Sequence, residues 1–124
     1  MNAVDINPIK DLLGKTFDEV RSDSHTILDF ISKDGPSYRF WHEQDCCESV
    51  TLEDIVGDLN DLAGSPILQA DEVSSSSGAE GRDDSNTWTF YKFATAKGRV
   101  TVRWWGSSNG YYSETVDFVE LQPA

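Results

Sequence analysis

Phe90, Arg99, Arg103, Trp105 and Asn109 fall in one short stretch of the chain, and side chains of these types can hold a planar anion. An aromatic ring that stacks on a nucleobase contributes about 1–3 kcal/mol. A charge-assisted bond from arginine to phosphate adds roughly 1.5–3 kcal/mol. Asn109, next to Gly110, has the reach to read a base edge or a ribose hydroxyl. Each has a plainer reading. The rings equally suit a surface that covers another element or a second subunit, and Asn109 is better read as the left-handed residue of an Asn-Gly turn.

Other clusters carry less chemistry. His42 stands four and five residues before Cys46 and Cys47, but a closed zinc site needs a fourth ligand and His25 is the only other imidazole. A tight structural turn is the preferred reading, with no metal and no cofactor expected. Asp54, Asp58, Asn60 and Asp61 lack the alternate ligands, central glycine and closing glutamate of a calcium loop. They read as a solvated acidic face. No glycine-rich phosphate cradle or hydrolase signature is evident, so binding without catalysis is expected.

The elements that must position the first group are strands. Residues 87–95 and 99–105 are rich in aromatic and β-branched types and are separated by Lys97-Gly98. With those two as the loop, Phe93 falls opposite Val102 and Tyr91 opposite Trp104, and these four form a core face. Trp88, Phe90, Lys92, Thr101, Arg103 and Trp105 share the other face. A second turn, Ser107-Ser108-Asn109-Gly110, precedes a third run over 111–121, which together predict a three-stranded meander.

Upstream, Asn7-Pro8 with Ile9, Leu12 and Leu13 predicts a short helix ended by Gly14. Residues 16–21 are an imperfect strand, and 26–32 and 37–43 form a hairpin around Lys33-Asp34-Gly35-Pro36, with Tyr38, Phe40 and His42 on one face. In residues 51–62, Leu52, Ile55, Val56, Leu59 and Leu62 have the spacing of one helical face. Residues 66–73 suggest another strand, and the serine-rich run 74–86 a flexible loop. The expected fold is α+β: a single domain over residues 1–124 with an antiparallel meander packed against two short helices.

At 124 residues, 38% hydrophobic and 11% aromatic, the chain is long and apolar enough for one real core. A net charge of -12 opposes binding to a nucleic-acid backbone, although a local pair of arginines still suffices for a small phosphate ligand. The same acidity permits a rival function, a nucleic-acid mimic that blocks a DNA- or RNA-binding protein. No signal peptide, membrane-length apolar run or lipidation signal is evident, and the only two cysteines are adjacent. A cytoplasmic location is expected, with no membrane partner.

Four segments together resemble a known family: His42-Glu43-Gln44-Asp45-Cys46-Cys47-Glu48-Ser49-Val50; Gly57-Asp58-Leu59 with Gly64-Ser65-Pro66-Ile67-Leu68; Thr87-Trp88-Thr89-Phe90-Tyr91-Lys92; and Arg103-Trp104-Trp105-Gly106-Ser107-Ser108-Asn109-Gly110-Tyr111-Tyr112-Ser113-Glu114. The pattern, spanning about Gly14 to Glu120, is similar to that of the phage Thoeris anti-defence proteins of the first type. That resemblance implies a sponge that sequesters cyclic ADP-ribose isomers made by bacterial immune proteins, and holds other cyclic oligonucleotides at a separate site. It also implies a homo-oligomer, a dimer or hexamer, with ligand held between subunits. Phe90 or a neighbour matches the adenine-stacking aromatic, and Arg99 or Arg103 the phosphate-binding arginines, with Arg21 and Arg39 as further contributors.

Overall fold

The computed structural model describes residues 8–42, 48–77, 85–108 and 116–121. Among the described residues, eight strands form two four-stranded antiparallel sheets. The first sheet has the order β1 (Glu19–Ser22), β2 (Leu28–Ile31), β3 (Ser37–Trp41), β8 (Asp117–Leu121). The second has the order β4 (Glu48–Val56), β7 (Gly98–Ser108), β6 (Ser85–Thr95), β5 (Gln69–Ser77). The sheets meet through aromatic rings. Phe40 lies 4.7 Å from Tyr91 and 5.7 Å from Phe93, and Phe30 lies 5.1 Å from Phe93, centroid to centroid. Edge and tilted pairs of this kind contribute beyond their buried area.

No α-helix occurs among the described residues; the two expected helices are replaced by strand and by short 3-10 helices, Pro8–Leu12 and Leu59–Leu62. The first still places Ile9 and Leu12 in the core. The apolar spacing over 51–62 has a different cause. Val50 and Leu52 face inward in β4, then the register shifts between Leu52 and Asp54, so that Asp54 lies opposite Arg103 and Ile55 opposite Val102. One extra residue in a strand turns a period of two into a step of three. Gly57 then ends the strand at φ 112°, and the Asp58 carboxylate accepts from the Asn60 amide to start the 3-10 turn holding Leu59 and Leu62. A bulge followed by a 3-10 turn therefore reproduces a helical pattern.

The meander needs a similar correction. β6 and β7 do form a hairpin, but β8 pairs with β3 in the first sheet, and β4 takes the place beside β7. Phe118 of β8 stacks on Tyr38 at 5.2 Å and tilts against Phe40 at 4.7 Å, which ties that strand to the first sheet. The hairpin loop is Ala96-Lys97, with Gly98 paired to Thr95, Phe93 to Val100 and Tyr91 to Val102. The hydroxyl of Thr95 accepts from the Lys97 amide and donates to the carbonyl of Asp61. A Cβ on Gly98 would meet the Asp61 carboxylate at 2.7 Å, so a side chain there would have to displace Asp61. Because the register differs from expectation by two residues, every side chain keeps its face.

The β2–β3 hairpin forms where expected and pairs Leu28 with Phe40 and Phe30 with Tyr38. β1 begins at Glu19, later than the expected strand over 16–21, with Phe17 buried just before it. Behind the first sheet's core face, Asp29 is buried and accepts from Arg39 Nε at 2.8 Å and Nη2 at 2.9 Å. Serines 74–77, expected in a loop, continue β5 as an edge strand alongside Trp88 and Thr89 of β6. Backbone pairing needs no particular side chain. Of the rest of that expected loop, Ser85 and Asn86 open β6, and residues 78–84 lie outside the described residues.

Candidate functional site

The second sheet buries Tyr91, Phe93, Val100, Val102 and Trp104 between the layers. Alternation turns Trp88, Phe90 and Lys92 of β6, and Arg99, Thr101, Arg103 and Trp105 of β7, to the opposite face. No described element covers that face.

At one end Trp88 pairs with Trp105 across the strands, ring centroids 4.4 Å apart and planes at 54°, and Phe90 lies alongside Trp88 at 6.5 Å. All three rings are half-buried by one another. Arg103, opposite Phe90, lays its guanidinium over the Trp88 ring at 4.7 Å and brings Nη2 to 3.8 Å from the Asp54 carboxylate on β4. Its Nε is buried with no hydrogen-bond acceptor among the described residues. Arg103 therefore packs on the aromatic cluster and reaches toward Asp54.

At the other end the face is cationic. Gln69, Lys92, Arg99 and Thr101 line a concavity of about 330 Å³, completed by Phe93 of β6 and Val100 of β7. Lys92 is paired with Thr101, and Arg99 stands two residues further along, opposite Ala94. Both cations are exposed, and neither carries an ion pair or a side-chain hydrogen bond among the described residues. The nearest carboxylate along the β5–β6 register is Asp71, beside Lys92. It is already held by Lys10 at 2.7 Å and by the Gln69 amide at 2.7 Å, and those bonds lower its pKa below the ordinary aspartate range.

Of the residues picked from sequence, Phe90, Arg103 and Trp105 share the aromatic end and Arg99 the cationic end, while Asn109 lies outside the described residues. Arg21 and Arg39 sit on the first sheet, where Arg39 serves Asp29, so they do not join this face. The sequence placed Lys92 on the face without giving it a role, and missed Gln69. Gln69 comes from β5, and no local pattern in a sequence shows that β5 will lie beside β6.

His42 is also accounted for. Its Nε2 lies 2.8 Å from Glu48 Oε2, both side chains being almost wholly buried, so the pair fastens the two ends of the 43–47 segment. Cys46 and Cys47 lie outside the described residues. Among the described residues, no group of three or more potential metal ligands converges.

These features define an all-antiparallel β domain with one open aromatic and cationic sheet face. Residues 10–118 match a family model described as a domain of unknown function, DUF7448, and the chain belongs to that family. No curated protein and no solved structure matches it. No helix among the described residues is long and apolar enough to cross a membrane.

Proposed function

We propose that this protein is a non-catalytic binder that sequesters a cyclic nucleotide signal on the open face of the second sheet. The observation that carries the reading is the division of that face into stacked aromatic rings and unpaired cations on paired strands. A base has ring faces at Trp88, Phe90 and Trp105 on which to stack. A phosphate has Lys92 and Arg99 two to six residues further along the strands from those rings, roughly 7–20 Å at the usual rise. Groups on strands are held rigidly, and rigid sites lose little on binding.

The family resemblance names the ligand class: cyclic ADP-ribose isomers, bound unchanged in the cytoplasm of an infected bacterium. It also supports a homo-oligomer. Val56 and Val73 stand exposed at opposite margins of the same face, 62% and 49% accessible, and supply an apolar rim for a second copy.

The test is to incubate the purified protein with cyclic ADP-ribose isomers, remove free ligand, denature by heat and analyse the released molecule by mass spectrometry. Release of unchanged ligand is expected. A modified product would mean an enzyme, and no retained ligand would refute the proposal and bring forward the acidic-mimic reading. Light scattering with and without ligand measures the assembly.

A further inference from the structure

We propose that the outer edge of β5, from Glu72 to Ser76, is a docking edge for an extended basic segment of another protein, which joins the second sheet as a fifth strand and sets a cation beside Glu72.

β5 is the last strand on its side of the sheet and pairs only with β6. Which of its residues turn their backbone outward follows from the β6–β7 hairpin. Thr95 and Gly98 flank a two-residue loop, which only a pair exchanging both of its hydrogen bonds can close. Alternate residues of β6 from Thr95 back to Thr87 therefore bond to β7, and those from Ala94 back to Asn86 bond to β5. The β5 partners of the second set are Gln69, Asp71, Val73, Ser75 and Ser77. Ala70, Glu72, Ser74 and Ser76 are left with their backbone groups pointing away from the sheet. The carbonyl of Ala70 agrees, since it accepts from Lys10 Nζ at 2.7 Å. That lysine guards the start of the edge. Among the described residues no hydrogen bond reaches the outward backbone of Glu72, Ser74 or Ser76.

The other sheet edges are guarded. β1 and β8 are four and five residues long, and β8 carries Asp117 and Glu120. β4 is bulged, and its Leu52 amide donates to the carbonyl of His25. Short strands, charges, bulges and covering loops are the means by which proteins blunt an edge. β5 has nine residues, a continuous register with β6, no proline and no charge beyond Glu72.

The side chains along the edge specify the occupant. Glu72 is exposed and makes no ion pair among the described residues. Its neighbour Asp71 is already held by Lys10. A lysine or arginine on an added strand would complete an opposite-charge cross-strand pair with Glu72. Val73, 49% exposed, projects from the other side of β5, the side it shares with Phe90. A segment that alternates basic and apolar residues therefore matches both sides of the edge. The net charge of -12 draws such a segment in, and opposes the pairing of β5 with β5 of a second copy. The stretch from Glu72 to Ser76 takes about five residues of strand, roughly 17 Å.

The test titrates a blocked peptide of alternating lysine and valine into the ¹⁵N-labelled full chain and reads amide shifts and hydrogen exchange along β5. Without peptide, the amides of Asp71, Val73 and Ser75 should exchange slowly and those of Glu72, Ser74 and Ser76 fast. Peptide should shift the second set saturably and slow its exchange. Ser74→Pro loses no sheet hydrogen bond, because its amide points outward, and its ring blocks the incoming strand. It should keep the fold and the charge and weaken the peptide by about tenfold or more, with Ser74→Ala within about twofold of wild type. Glu72→Gln should weaken it about two- to fivefold. Reversed exchange rates, absence of localised shifts, equal binding of a peptide with glutamate in place of lysine, or unchanged binding in a folded Ser74→Pro would each overturn the proposal. Protection of Glu72 and Ser74 that rises with protein concentration alone would overturn it too, and assign the edge to a second copy.

Discussion

Replacing Arg103 by glutamine separates a bracing arginine from a ligand arm, because the two roles make opposite demands on stability and binding. The guanidinium lies 4.7 Å from the Trp88 ring centroid, a cation–π contact worth about 0.5–1 kcal/mol at a partly exposed site. Its 3.8 Å approach to Asp54, with both side chains more than 40% exposed, adds no more than about 0.5 kcal/mol. The expected loss is therefore about 0.5–1.5 kcal/mol, or a Tm lower by roughly 2–6 °C. Urea unfolding of Arg103→Gln, Trp88→Leu, Asp54→Asn and the two double variants apportions it. Coupling to Trp88 should exceed coupling to Asp54. Loss of the brace loosens Trp88, so affinity for cyclic ADP-ribose should fall by tenfold at most. Stability within about 0.3 kcal/mol of wild type, combined with a loss of affinity above a hundredfold, would refute the reasoning and return Arg103 to the ligand.

Gly57→Ala should destabilise the fold by at least about 2 kcal/mol in denaturant titrations, since the added methyl meets backbone at a φ of 112° that alanine resists. Arg39→Met leaves the buried Asp29 carboxylate without its bidentate partner and should cost about 3–5 kcal/mol, while Asp29→Asn in the same background restores part of it. Burial opposes the charge of Asp23, but the Thr26 hydroxyl and the amides of Ile27, Thr26 and His25 hold its carboxyl below the ordinary value of 3.8. Stability from Asp23 is then fully present above pH 3.8 and is lost as the pH falls through its lower folded value. Asp23→Ala should cost about 1 kcal/mol at pH 7 and flatten the acid limb of a Tm-against-pH curve.

The candidate face was legible because face assignment depends only on period two. Phe90, Arg103 and Trp105 were separated from Tyr91, Phe93, Val102 and Trp104 despite a register two residues off, since an even slip preserves parity. What the sequence concealed was non-local. The Glu53 bulge made β4 look helical, and Phe118 drew β8 to Tyr38 and Phe40 across the molecule rather than to its neighbour in the chain. The roles within the face were hidden for the same reason. Arg103 and Arg99 have the same type and parity, and only the arrival of Asp54 from β4 and Gln69 from β5 distinguishes a braced cation from an open one.

The pairing of β8 with β3 also sets an order of events during synthesis. The first three strands emerge early from the ribosome, yet β3 lacks its outer partner until the whole second sheet has been made, because β4, β5, β6 and β7 all precede β8. Throughout that interval β3 offers an open backbone edge, with Tyr38 and Phe40 missing the Phe118 ring that covers them in the finished fold. Open edges of this kind recruit other chains, and long-range strand pairing is slow. A chain halted between β7 and β8 would therefore retain every strand of the candidate binding face and still be prone to aggregate.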